Sequence, residues 1–140
     1  MSDSMHYFTA LVDELGGPNG RMTNGSYLLH YTVSFWNQEK IDYLRSINGL
    51  DWELRDANGS TALLRGYSSG DEHTSGFKRT SQMIDYGADP HAVDRFGKGI
   101  CEYVRNGSRV EKRVFASEYS SLVKRLKDEF QIDCLDPSIP

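Results

Sequence analysis

Apolar residues fall along this chain in short bursts at helical spacing, and glycine-centred breaks separate them. Tyr7, Phe8, Leu11 and Leu15 share one face of a helix predicted over Met5 to Leu15. Asp3-Ser4 suits its N-cap, and Gly16-Gly17-Pro18 its stop. Ile41, Leu44 and Ile47 make a second stripe, and Phe77, Met83 and Ile84 a third. The third runs into Tyr86-Gly87, where glycine accepts the left-handed conformation that ends a helix. Val110 to Phe130 then continues without Gly or Pro, with Val114, Leu122, Leu126 and Phe130 four or eight residues apart. That run predicts a final outer helix, or that helix with an additional cap helix.

The breaks repeat. Gly49-Leu50-Asp51 through Asp56 to Gly59 aligns with Gly87-Ala88-Asp89 through Asp94 to Gly97. The pairs Gly49/Gly87, Asp51/Asp89, Asp56/Asp94 and Gly59/Gly97 all share an offset of 38, and Gly25 precedes Gly59 by 34. A helix-like stretch follows each of the last glycines: Ser26–Tyr31, Ser60–Leu64 and Lys98–Tyr103. Four coincident pairs at one offset, in the same order, constitute an internal repeat.

This pattern resembles the ankyrin repeat, a β-turn finger followed by two antiparallel helices with a period of about 33 residues. Gly87-Ala88-Asp89, Asp94 and Gly97 match the family's junction; Leu29-His30 and Thr61-Ala62-Leu63 match parts of its Thr-Pro-Leu-His helix start. Leu28, Ala62 and Ile100 stand where the family has proline, and Leu64 and Glu102 where it has histidine. The resemblance covers about residues 20 to 107 and implies an all-α solenoid with short β-turn fingers and helical caps. It divides the chain into a cap (1–20), a repeat (21–57), a repeat with an insertion at 69–76 (58–95), a partial repeat with C-terminal cap (96–130) and a tail (131–140). Stacked units need such caps, because each exposes an apolar face that only a neighbour covers. The Ser, Gly, Asp and Thr of residues 69–76 predict a mobile, exposed loop.

Length and composition fit one globular domain, with 140 residues and a net charge of −4. The apolar runs are too short to cross a bilayer, and the first fifteen residues lack the basic and apolar regions of a signal peptide, so a cytoplasmic location is expected. Cys101 and Cys134 are not spaced for metal binding, and in a cytosolic chain they read as two reduced thiols, with a disulfide as the alternative. Cys101 takes a buried place in the third unit, whereas Cys134 falls in an extended tail. No phosphate-loop, dinucleotide or EF-hand spacing is present, so no cofactor, metal or catalytic residue is assigned. Asp51, Asp56, Asp89 and Asp94 read as turn formers, and His30 takes the structural place that the resemblance gives it, bridging backbone groups between units.

With no catalytic residue assigned, the resemblance implies a binding module rather than an enzyme. The resemblance implies that fingertips and first helices hold another protein. Carried over residue by residue, it assigns Arg55, Asn58, Val93, Arg95, Phe96 and Lys98 from the fingers. From the first helices it assigns Phe35, Trp36, Ser68, Ser69 and Asn106. The expected role is an adaptor or an inhibitor that masks its partner's surface, such as a toxin antidote or a blocker of host defence. The alternative is a nucleic-acid binder using residues 105–127, which carry seven bases against two acids. The overall acidity argues against it.

Overall fold

A computed structural model describes residues 3–135. Eight helices make up the described chain: α1 (Asp3–Glu14), α2 (Leu28–Ser34), α3 (Gln38–Ser46), α4 (Ala62–Ser68), α5 (Gly76–Asp85), α6 (Ile100–Arg105), α7 (Arg109–Val114) and α8 (Ala116–Phe130). Extended pairing among the described residues is limited to one isolated bridge, Arg21 with Tyr27. No described helix is long and apolar enough to cross a membrane.

The helices start where local chemistry starts them. Asn37, Thr61, Ser75 and Ser108 cap α3, α4, α5 and α7, each accepting a backbone N–H of the first turn. α2, α4 and α6 each begin three residues after a glycine of positive φ: Gly25, Gly59 and Gly97. These helices are only six or seven residues long. Helices that short are marginal in water, so burial must hold them. α2 packs on α4 and α4 on α6, while α2 also packs on α3 and α4 on α5. On the other side α1 covers α3, and α8 covers α5. The core runs through the middle: Leu28, Leu29, Val33, Ile41, Leu44, Leu63, Phe77, Met83, Ile100, Leu122 and Leu126 are almost completely enclosed.

Four details depart from the apolar pattern. In α1 the buried face is Met5, Phe8 and Val12, and Tyr7 points to solvent with 73% of its surface exposed. A tyrosine keeps its hydroxyl wet at no cost there, whereas Met5 and Val12 have nothing polar to lose on burial. The run from Val110 to Phe130 breaks at Phe115, whose ψ of 42° ends α7 and starts α8, and Val114 is left exposed. The 69–76 segment joins α4 to α5, but only its middle is exposed. Arg79, itself buried, donates to the carbonyl of Ser69 at 2.7 Å and pairs with Asp71 at 3.4 Å. Asp71 accepts the N–H groups of His73 and Thr74, and the buried Ser75 hydroxyl donates to Glu118. The segment is thus tied at both ends.

The fourth departure is covalent. Gln131 turns left-handed after α8, and the Ile132 N–H bonds back to Leu126 at 2.9 Å. The chain therefore folds back onto α6 instead of running off as an extended tail. Cys134 is buried and forms a disulfide with Cys101, so neither residue is the free thiol expected from a cytosolic chain. Residues 136–140 of the expected tail lie outside the described residues. The bridge spans 33 positions of sequence, and closing a loop of that length removes about 3–4 kcal/mol of unfolded-chain entropy. Cys134→Ala should therefore lower the unfolding free energy by about that amount, and reductant should lower the wild type towards the variant. Urea titrations of both chains, with and without reductant, check this; identical curves for all four would mean that the bridge does not form.

Candidate interaction surface

Three turns stand in line beside the short helices, and they are chemically alike. Met22, Asp56 and Asp94 each donate their N–H to the residue four on: Ser26 at 2.8 Å, Ser60 at 3.0 Å and Lys98 at 3.0 Å. Each also accepts the N–H of a glycine three on, at 2.9 Å from Gly25, 2.9 Å from Gly59 and 3.0 Å from Gly97. Gly59 is required twice over. Its φ is +72°, and a Cβ there would lie 2.9 Å from the backbone nitrogen of Arg95 on the next turn.

The turn carboxylates are fully occupied. Asp56 accepts the N–H groups of Asn58 and Ser60 and an Nη of Arg65. Asp94 accepts the N–H groups of Phe96 and Lys98 and the hydroxyl of Tyr103. Burial opposes charge on both, but those bonds outweigh it and hold both carboxyls below their ordinary value. The bond to Asp94, with burial second, pushes Tyr103 up to about 12. Arg65 and Tyr103 each lie nine residues after the aspartate they serve. The first turn has Met22 in place of the aspartate, and Tyr31 instead packs at a tilt against Phe35 with ring centres 5.0 Å apart.

The turns are also linked to one another. His30 on α2 donates through Nε2 to the carbonyl of Ser60 at 2.8 Å, joining the first helix to the second turn. Its Nδ1 is buried without a hydrogen-bond partner. Arg55 donates to Gly59 O at 2.9 Å and to the carbonyl of Val93 on the third turn. Arg21 makes the same own-turn bond to Gly25 O at 2.8 Å. At the turn bases, Asn19 accepts the Asp51 N–H, and Glu53, which stands 34 residues on, accepts the Asp89 N–H.

Against this frame the residues assigned from sequence divide in two. Arg55, Val93, Arg95, Phe96 and Lys98 converge at the second and third turns, all exposed, with the Arg95 guanidinium 4.8 Å from the Phe96 ring centre. Asn58 is exposed on the second turn, and its N–H is already held by Asp56. Phe35, at the end of α2, is 73% exposed. Trp36 is half-buried, with a φ of +36° that is uncommon for a large residue, and the buried Arg79 sits 5.4 Å over its ring. Ser68 and Ser69 spend their hydroxyls on the carbonyls of Leu64 and Arg65, so neither presents a free donor. Asn106 is exposed beyond α6, at the helix's C-cap. Arg21, Tyr31, Arg65 and Tyr103 were missed, although offsets of 34 and 38 align Arg21 with Arg55, and Tyr31 with Arg65 and Tyr103.

Elsewhere, a depression of about 460 Å³ between the ends of α3 and α5 is lined by Arg45, Ile47, Trp52 and Tyr86, with neither carboxylate nor imidazole in its lining. Trp52 packs there on Tyr86 and is buried, which makes it a core residue. A scan of protein-family models finds no match to the chain, and a search of curated proteins finds none either.

His30 makes stability depend on pH. Burial lowers its pKa below 6.5, and the bond to Ser60 only partly offsets this. The folded chain thus holds the imidazole neutral at pH values where the unfolded chain has begun to protonate it. Its contribution is full above about pH 6.5 and is lost as pH falls towards the folded value. His30→Gln should flatten the decline in melting temperature between pH 7.5 and 5.5. Equal slopes for the two chains would remove His30 as the cause.

Proposed function

We propose that the chain is a divergent ankyrin-repeat protein that binds another protein through its turn tips and inner helices. The observation that carries this reading is the threefold recurrence of one turn. Each uses the same pair of backbone bonds and the same positive-φ glycine, each opens a helix three residues later, and they are spaced by 34 and 38 residues. The row of α2, α4 and α6, backed by α1, α3, α5 and α8, is the arrangement a short solenoid with capping helices would have. The turn tips bring together the residue types that dominate binding energy, an arginine and an aromatic ring, outside the core. The action proposed for this surface is to mask the partner's own, as an inhibitor or antidote would.

The nucleic-acid alternative draws on residues 105–127. There Arg125 pairs with Asp85 at 2.7 Å and with Glu129, Lys124 with Asp128, and Lys127 with Asp133. Three of the seven cations are thereby engaged by acids, which leaves the segment a weak phosphate reader. A cytoplasmic site of action would require Cys101 and Cys134 to stay reduced until an oxidant joins them, whereas a persisting disulfide belongs to an oxidising compartment. The redox state of the native chain, trapped with a thiol reagent before lysis, distinguishes the two.

Replacing Arg55, Arg95 and Phe96 together by alanine should weaken capture of the native partner at least about tenfold while the fold persists. Affinity capture with wild-type and triple-variant baits, compared by quantitative mass spectrometry, checks it. A partner retained equally by both would place binding on another surface.

A further inference from the structure

The charge of this molecule is divided by face. Residues 21–36, 55–69 and 93–107 hold the turn tips and the inner helices. They contain six cations (Arg21, Arg55, Arg65, Arg95, Lys98 and Arg105) against three acids, Asp56, Asp94 and Glu102. This face therefore carries +3 in a chain whose total is −4, and the remainder carries −7. All three acids are turned inward on the chain's own backbone. Asp56 and Asp94 close their turns, and Glu102 accepts the Gly99 N–H at 2.9 Å. The positive groups are held in place: Arg21 and Arg55 are each anchored to the carbonyl of their own turn glycine. Between the first two turns lies a notch of about 280 Å³ with Arg21 and Arg65 in its wall. Beside these cations stand exposed apolar groups: Tyr31 at 44%, Phe35 at 73%, Val93 at 43% and Phe96 at 64%.

We infer that the partner presents an acidic segment with interspersed apolar side chains, and that its carboxylates meet the arginine and lysine groups of the turns. The inference rests on the protein-binding reading above and narrows it. A guanidinium already fixed on one side loses little entropy when it takes a carboxylate on the other. A positive face on a negative body orients an acidic partner and turns away a basic one. Nucleic acid fits less well. The exposed rings and Val93 ask for apolar contact that a phosphate backbone does not supply.

The probe is a phage-displayed library of random peptides, selected on the immobilised full chain. Selected peptides are then measured against wild type, Arg95→Glu/Lys98→Glu and Arg95→Gln/Lys98→Gln. Both side chains are exposed, and circular dichroism and melting temperature verify that the variants fold. Selected peptides should be enriched in Asp and Glu together with apolar residues, and should bind the Glu variant at least about tenfold more weakly, with the Gln variant between. Peptides that lose affinity on Phe35→Ser/Phe96→Ser yet show no acidic enrichment would overturn the acidic partner and leave the protein-binding reading intact. Peptides indifferent to all the variants, or no selection above background, would count against both. A single-stranded or duplex oligonucleotide that binds more tightly than the selected peptides, and is lost on the Glu variant, would replace the acidic protein with a nucleic acid.

Discussion

Burial against a neighbour is the constraint on which this molecule depends. α2, α4 and α6 are each too short to pay for their own nucleation, and isolated they would melt. Each is stabilised because residues such as Leu28, Leu29, Leu63 and Ile100 leave water against neighbouring helices. The terminal helices follow from the same need. α1 and α8 cover the apolar faces of α3 and α5, and both present a more polar outer side. Loss of one layer thus exposes the next, so a defect in the middle is felt along the whole row.

The turns translate that packing into a surface. A glycine of positive φ reverses the chain, and an aspartate fixes the reversed segment by accepting two of its own N–H groups. The second oxygen of each aspartate is answered from the first helix, by Arg65 in one unit and Tyr103 in the next. Different chemistry at equivalent places does the same mechanical task. In the first unit the aspartate is missing, and Asn24 takes part of its role by accepting the Ser26 N–H at 3.0 Å.

The local parts of this fold could be read directly, because their causes are local. Gly59 and Gly97 with Asp56 and Asp94 announce the turns within five residues of sequence, and Ile41, Leu44, Leu122 and Leu126 announce buried helix faces by spacing alone. What could not be read depends on groups far apart in sequence. The pairing of Cys101 with Cys134 follows from a reversal after α8, and the tethering of the 69–76 segment follows from Arg79, which looks like a surface residue until its surroundings are known. In α1 the spacing of Tyr7, Phe8, Leu11 and Leu15 indicates one face, whereas Phe8, packed on Tyr43 and Lys40 of α3, is buried with Met5 and Val12. Among the candidate site residues, those on turns are exposed. Trp36 and Ser69 are drawn partly inward, and the exposed Ser68, like Ser69, turns its hydroxyl back on a helix carbonyl, because a helix end must satisfy its last carbonyls.

The Cys101–Cys134 bridge also imposes an order on biosynthesis. Chains emerge from the ribosome N-terminus first, and their early elements fold as they appear. Cys101 is made 33 residues before its partner, so the early helices precede the second thiol in synthesis. In the folded chain the link depends on the reversal at Gln131, which returns Cys134 to Cys101 after α8. It ties the segment after α8 to α6. A chain cut before residue 134 would contain all eight helices and still lack its lock.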